Sequence, residues 1–321
     1  MSSTRDQAWA LFDHIVDVAP LRDVNPWRSV KAGTGFEPDY GTLQLLLGVP
    51  LHLHATSQSG VPALALDVWV SYELRRAGFE SDWVWPRPMA PRVLPREVLQ
   101  FIDALPKTDR ERLRRVVSTR GTGGSSAANL LGKNYVKQVD VVMSSWATGP
   151  EVLISTKRMD SSFGKNAANR VEESYGDAKN LRLRHPRAAL GFMYGLGSAA
   201  LSDEPGQARW LMDLLAKLGR EDDAYDAVGL VIPEVPRDAS GVDDDADPAG
   251  PLEPGATVEP SVGTGIEADP TPEQLPRVTL RREDVPAELD PGRFFRVMCT
   301  TVLDRTPINF HPRARALRDA V

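Results

Sequence analysis

Tyr135–Met143 reads YVKQVDVVM and Glu151–Met159 reads EVLISTKRM, with the turn signal Thr148-Gly149-Pro150 between them. Both runs are rich in β-branched residues and alternate in polarity with a period of two, the pattern of strands that show one face to a core. Two such runs joined through Gly-Pro predict a hairpin. The first carries an acid among valines, Asp140, and the second carries Lys157 late in an apolar strand. Charged groups in such places lose hydration on folding and need compensation.

On either side of the hairpin the period changes to that of helices. Ala63–Gly78 predicts a helix that stops at Gly78 with Arg75 and Arg76 in its last turn. Ser81–Arg92, rich in Pro and Trp, predicts an extended segment. Pro95–Ala104 and Thr108–Ser118 predict two helices, the second strongly basic, and Arg120–Ser126 (RGTGGSS) a flexible stretch. Downstream, Asn166–Leu183 predicts a helix capped by Ser161-Ser162. Ala188–Leu196 predicts a buried strand, Gln207–Gly219 an amphipathic helix, Ala224–Val235 a further strand and Pro291–Leu303 a final helix before a short basic tail, Thr306–Ala320. The start of the chain offers a short amphipathic helix at Gln7–Val18 and an apolar run, Leu43–His54. The domain reading is therefore an N-terminal extension over 1–62 and an α/β core over 63–235 with a helical insertion near 92–120. An acidic Pro/Gly-rich linker over 236–276 is expected to be disordered, and a C-terminal helical segment over 277–321 is expected to pack on the core.

Composition narrows the classes of function. Of the 321 residues, 41% are hydrophobic and 26% charged, which supports a substantial core. No run approaches a membrane span, so no membrane partner is expected. The start MSSTRDQAWALFDHIV lacks the marks of a signal peptide, and the single Cys299 excludes an internal disulfide and a multi-cysteine zinc site, so a cytoplasmic protein is expected. The net charge of −6 argues against nucleic acid, but it conceals an asymmetry. Leu105–Leu190 holds 16 Lys and Arg against 8 Asp and Glu, whereas Leu201–Leu275 holds 4 against 18. A basic middle beside an acidic segment fits a polyanion site with a solubilising or self-shielding flank.

The order of elements, with Asp140 in QVDVV and Lys157 in LISTKRM 17 residues later, resembles the PD-(D/E)xK nuclease superfamily over residues 63–235. That resemblance implies a restriction-endonuclease-like α/β core, a central mixed β-sheet flanked by helices. It implies a metal-dependent DNA endonuclease that hydrolyses phosphodiester bonds with Mg²⁺, or Mn²⁺ in its place, in restriction or anti-phage defence. The expected partners are DNA and a second copy of the chain, which would suit a double-strand cut, or a defence-complex partner. Asp140 would hold metal and Lys157 would assist the attacking water. The opening helix, YELRRAGF, places Glu73 where the superfamily often has a further metal-binding glutamate. Where the motif usually has its second acid this chain has Ser155, so the strand reads S-x-K. In a subgroup of restriction endonucleases that acid stands on the following helix, and here Glu172 and Glu173 stand 15 and 16 residues after Lys157. Either fits as a catalytic, metal-binding acid; as paired glutamates on a helix, either also fits a solvated face.

The chemistry requires these residue types. Phosphodiester hydrolysis needs an acidified water and neutralisation of charge on the phosphorane, which a carboxylate-held hard cation and a neighbouring ammonium supply. For DNA contacts the candidates are Gln138, on the strand face of Asp140, together with Ser155, Lys165, Asn166, Asn169, Arg170 and Arg182. Arg and Asn side chains suit phosphates and base edges, and a helix start offers free N–H groups to an anion. Arg184, His185 and Arg187 extend the stripe, as do Arg110, Arg112, Arg114 and Arg115.

Ser155 also supports an alternative, a catalytically inactive nuclease-fold subunit that binds DNA or serves assembly. Weaker signals do not change this reading. Gly121–Lys133 (GTGGSSAANLLGK) fails the phosphate-loop spacing at Ala127 and Asn134. His52 and His54 share one face if their segment is a strand, but no third zinc ligand is near in sequence. Trp83 and Trp85 suit packing better than base stacking.

Overall fold

The computed structural model describes residues 3–31, 33–56, 59–118, 128–160, 163–234 and 274–321, with the side chains of 164–166 left aside. The expected linker over 236–276, the flexible stretch Arg120–Ser126 and the caps Ser161 and Ser162 fall wholly or mostly outside the described residues.

In chain order the elements are α1 (Thr4–Asp17), β1 (Trp27–Val30), β2 (Gly33–Phe36), α2 (Tyr40–His52), α3 (Val61–Arg76), β3 (Val84–Trp85), α4 (Arg96–Asp103) and α5 (Lys107–Ser118). They continue with β4 (Ala128–Leu131), β5 (Val136–Val139), β6 (Val141–Ser145), β7 (Gly149–Met159), α6 (Phe163–Arg184) and β8 (Ala189–Leu196). The described chain closes with α7 (Ala199–Asp203), α8 (Pro205–Leu218), β9 (Ala227–Val231), α9 (Pro291–Arg305) and α10 (Pro312–Asp319).

The architecture is α/β around one mixed five-stranded sheet of order β3-β6-β7-β8-β9. β6 and β7 form the expected antiparallel hairpin, and β7, β8 and β9 run parallel through helical crossovers. Alternation along β7 divides the core in two. Val152 and Ile154 face a layer built by α1, α2, α3 and α9, while Leu153 and Met159 face α6 and α8. β8 is buried along its whole length, as a central parallel strand covered on both faces must be. Residues before 62 and after 277 supply much of the first layer, through Phe12, Leu46, Phe294, Phe295 and Met298.

Four local expectations change. The run 135–143 is not one strand. It breaks at Asp140 into β5, which pairs with β4 in a separate two-stranded sheet, and β6, which joins the main sheet. The apolar run 43–54 lies mostly in α2, started by Asp39, whose carboxylate accepts the Thr42 amide at 3.0 Å. His52 therefore ends a helix and His54 follows it with φ 47°, so they do not share a strand face. The expected extended segment 81–92 begins with a 3-10 turn, Ser81–Trp83, before Val84 and Trp85 form a strand. Part of the basic tail is α10, seated where Gly78 ends the α3 turn. Gly78 has φ 96°, and a Cβ there would lie 2.8 Å from Ala314 Cα, so both conformation and space demand glycine.

Candidate active site around Asp67, Asp140 and Lys157

The site forms where three elements converge on the C-terminal half of β7. Thr156 points to the α3 side, as alternation requires, and Lys157 to the α6 side. At the break between β5 and β6, the Asp140 carboxylate accepts the Thr156 amide at 2.9 Å. The Thr156 hydroxyl donates in turn to Asp67, which α3 presents from its buried face. Thr156 thus bonds to both carboxylates, Asp140 at a half-buried position and Asp67 only 5% exposed.

Asp67 was missed by the sequence reading, although an acid in ALALDVWV, inside an apolar helix, is itself a signal. Burial pushes its carboxyl well above the usual range, and repulsion from Asp140 adds to this. The Thr156 hydroxyl, Arg5 and Lys157, in that order, oppose the rise. Burial likewise raises Asp140, against the Thr156 amide and the ammonium groups of Lys157 and Lys137. Two acids that each resist ionising are an environment a hard cation would relieve.

The α6 side carries the opposite charges. Lys157 Nζ stands 3.9 Å from a Glu173 carboxylate oxygen, and Lys137 Nζ, arriving from β5, stands 3.5 Å from the same oxygen. Lys137 also pairs with Asp177 at 2.5 Å, and the Tyr135 hydroxyl donates to Asp177 at 3.0 Å. The Lys137 ammonium loses hydration on burial, but Asp177 and Glu173 outweigh that loss and raise its pKa. Ser155 is buried beside Lys157; on the same side of the sheet the Tyr225 phenol donates to the Ser174 carbonyl at 3.0 Å and its ring stacks on Phe192 at 5.4 Å.

The other candidates scatter. Of the two helix acids, Glu173 meets Lys157, whereas Glu172 is exposed. Glu73 is fully buried elsewhere on α3, where it accepts from Arg76 at 2.6 Å and from the Asp39 amide at 2.6 Å. Burial raises its pKa to about 7, with Arg76 and the Asp39 amide opposing. Its two carboxylate oxygens are thus committed to fixing α3 to the start of α2. Arg182 turns inward, donating to Asp226 at 2.8 Å and to the carbonyls of Ala188 and Ala224 at 3.1 Å, so it braces the core instead of facing a phosphate. Gln138 and Asn169 are exposed; Arg170 is half-buried, 3.9 Å from Glu173. Lys165 and Asn166 lie on α6, but their side chains are outside the described residues.

Among the described residues, no group of three or more His, Cys, Asp or Glu side chains is gathered to hold a metal ion. Asp67 and Asp140 would offer a cation a carboxylate pair. That suits Mg²⁺, which commonly takes one or two carboxylates and fills its remaining positions with water and substrate phosphate. No helix among the described residues is long and apolar enough to cross a membrane. No family model, curated protein or solved structure matches the chain.

Proposed function

We propose that this chain is a metal-dependent endonuclease that hydrolyses DNA phosphodiester bonds on a restriction-endonuclease-like core, in restriction or anti-phage defence. The observation that carries the proposal is the bridge through Thr156, which ties Asp67 and Asp140 together on the strand that bears Lys157. Asp67 and Asp140 would hold Mg²⁺ or Mn²⁺, whose chemistry is Lewis acidity at phosphate and a more acidic bound water. Asp67 supplies the second carboxylate that Ser155 lacks, so α3 takes the part expected of Glu172 or Glu173. Lys157 orients the attacking water or offsets charge on the phosphorane. Glu173 stands 3.9 Å from the Lys157 ammonium, and Asn169 on α6 offers a neutral donor to the DNA.

The test uses supercoiled plasmid, purified full chain and Mg²⁺ or Mn²⁺. The wild type is expected to nick or linearise the plasmid. Asp140→Asn and Lys157→Ala are expected to act at least ~10²-fold more slowly, the scale for losing one group aimed at transition-state charge. Ser155 favours a second reading, an inactive nuclease-fold subunit that binds DNA. Salt-sensitive DNA binding without cleavage, unchanged by Asp140→Asn, would support that reading and overturn the first. Absence of both cleavage and binding would remove both.

A further inference from the structure

Lys137 stands outside every motif, yet it completes the charge arrangement around Glu173. The β4–β5 hairpin that carries it is fastened to α6 by Asn180. The Asn180 side chain accepts from the Asn134 amide at 2.8 Å and donates to the Tyr135 carbonyl at 3.1 Å. The Asn180 carbonyl accepts from the Lys133 amide at 2.8 Å. The hairpin passes so close that a Cβ on Gly132 would lie 2.1 Å from the Asn180 amide nitrogen. This mount sets Lys137 down with its side chain only 14% exposed, between Asp177 and Glu173.

Lys157 and Lys137 therefore share one carboxylate. Without Lys137, moving the Lys157 ammonium to a phosphate or a water would leave the half-buried Glu173 with Arg170 alone, at 3.9 Å from its other oxygen, so the pairing lost at the shared oxygen would not be replaced. With Lys137 also at 3.5 Å, Glu173 stays compensated when Lys157 leaves. We infer that Lys137 is a positioning residue that takes over the charge of Glu173 and so releases Lys157, held at a loose 3.9 Å, for work on the scissile phosphate. The inference rests on the nuclease reading for its purpose, but its physical content, the availability of the Lys157 ammonium, is measurable without cleavage.

Two readouts on the full chain test it. In plasmid cleavage, Lys137→Met is expected to lower kcat at least ~10-fold with little change in KM, and Lys137→Arg to restore it. Removing the acid as well, in Lys137→Met/Glu173→Gln, is expected to recover most of the loss, because Glu173 then no longer captures Lys157. A merely structural role for Lys137 predicts no such recovery. The second readout is competitive reductive methylation of lysines followed by mass spectrometry. Labelling of Lys157 is expected to fall in Lys137→Met and to return in the double variant. If Lys157 labels equally in the three proteins, the inference is overturned, whatever the cleavage result. If labelling follows the expected pattern but the wild type cuts nothing, the nuclease reading fails and the charge relation stands.

Discussion

Asp67 shows how much a single position can cost a fold and return to a site. Its carboxyl titrates higher in the folded chain than in the unfolded one, chiefly through burial, so the native state holds the proton more tightly. Metal-free stability should therefore rise as pH falls from neutral through that raised value towards the unfolded value near 3.8. Asp67→Asn should remove the Asp67 share of this pH dependence, leaving the shares of Asp140 and Glu73, and raise the metal-free melting temperature at pH 7.5. Scanning calorimetry from pH 5 to 8 checks both. Replacing Glu73 should have the opposite effect on stability. It is the buried partner of Arg76, so Glu73→Ala should cost about 3–5 kcal/mol while leaving the metal dependence of any remaining cleavage unchanged. Asp140 and Lys157 stand out in the sequence because charge is conspicuous in alternating strands. Asp67 stands out as an acid in an apolar helix, but a helix hydrophobic on all sides gives no periodic cue to where that acid points. Glu73 enters through the family resemblance, and only packing shows its oxygens committed to Arg76 and Asp39.

At the scale of elements, the hairpin of β6 and β7, the α6 crossover, β8, α8 and β9 could all be read from periodicity and turn residues. The break at Asp140 could not. YVKQVDVVM alternates without interruption, and what divides it is tertiary: Asp140 takes the Thr156 amide with its side chain while β5 leaves the main sheet to pair with β4. That departure brings Lys137 to α6. The attachment depends on Asn180, so Asn180→Ala should leave backbone groups of Asn134 and Tyr135 without their partner, at a cost of about 1–3 kcal/mol. The loss should appear as faster amide exchange in residues 128–139, with β7 and β8 still protected. Equal loss of protection throughout would show that the hairpin and the main sheet open as one unit.

Across the whole molecule, the ends of the chain and its middle share one core. Asp226, just before β9, accepts from Arg182 on α6, from Arg305 on α9 and from the Leu190 amide on β8. Burial alone would raise the carboxyl, but the two guanidinium groups and the amide prevail and hold it below its usual value. This contribution is present above pH ~4 and is lost as pH falls through the depressed folded value. Asp226→Ala should cost about 3–5 kcal/mol, because it leaves two arginines without their shared acid. A urea titration at pH 7 checks the magnitude, and its repetition near pH 3 should show a smaller difference. The sequence placed Arg182 in a basic stripe by counting charges. Counting cannot tell a guanidinium facing solvent from one drawn inward by an acid 44 positions later.

The most direct test of the account is the single-turnover rate of DNA cleavage by Asp67→Asn in saturating Mg²⁺, measured beside its melting temperature. Asp67 and Asp140 acting as one cation site predict a protein at least as stable as the wild type that cleaves at least ~10²-fold more slowly. Cleavage by Asp67→Asn at the wild-type rate would contradict it.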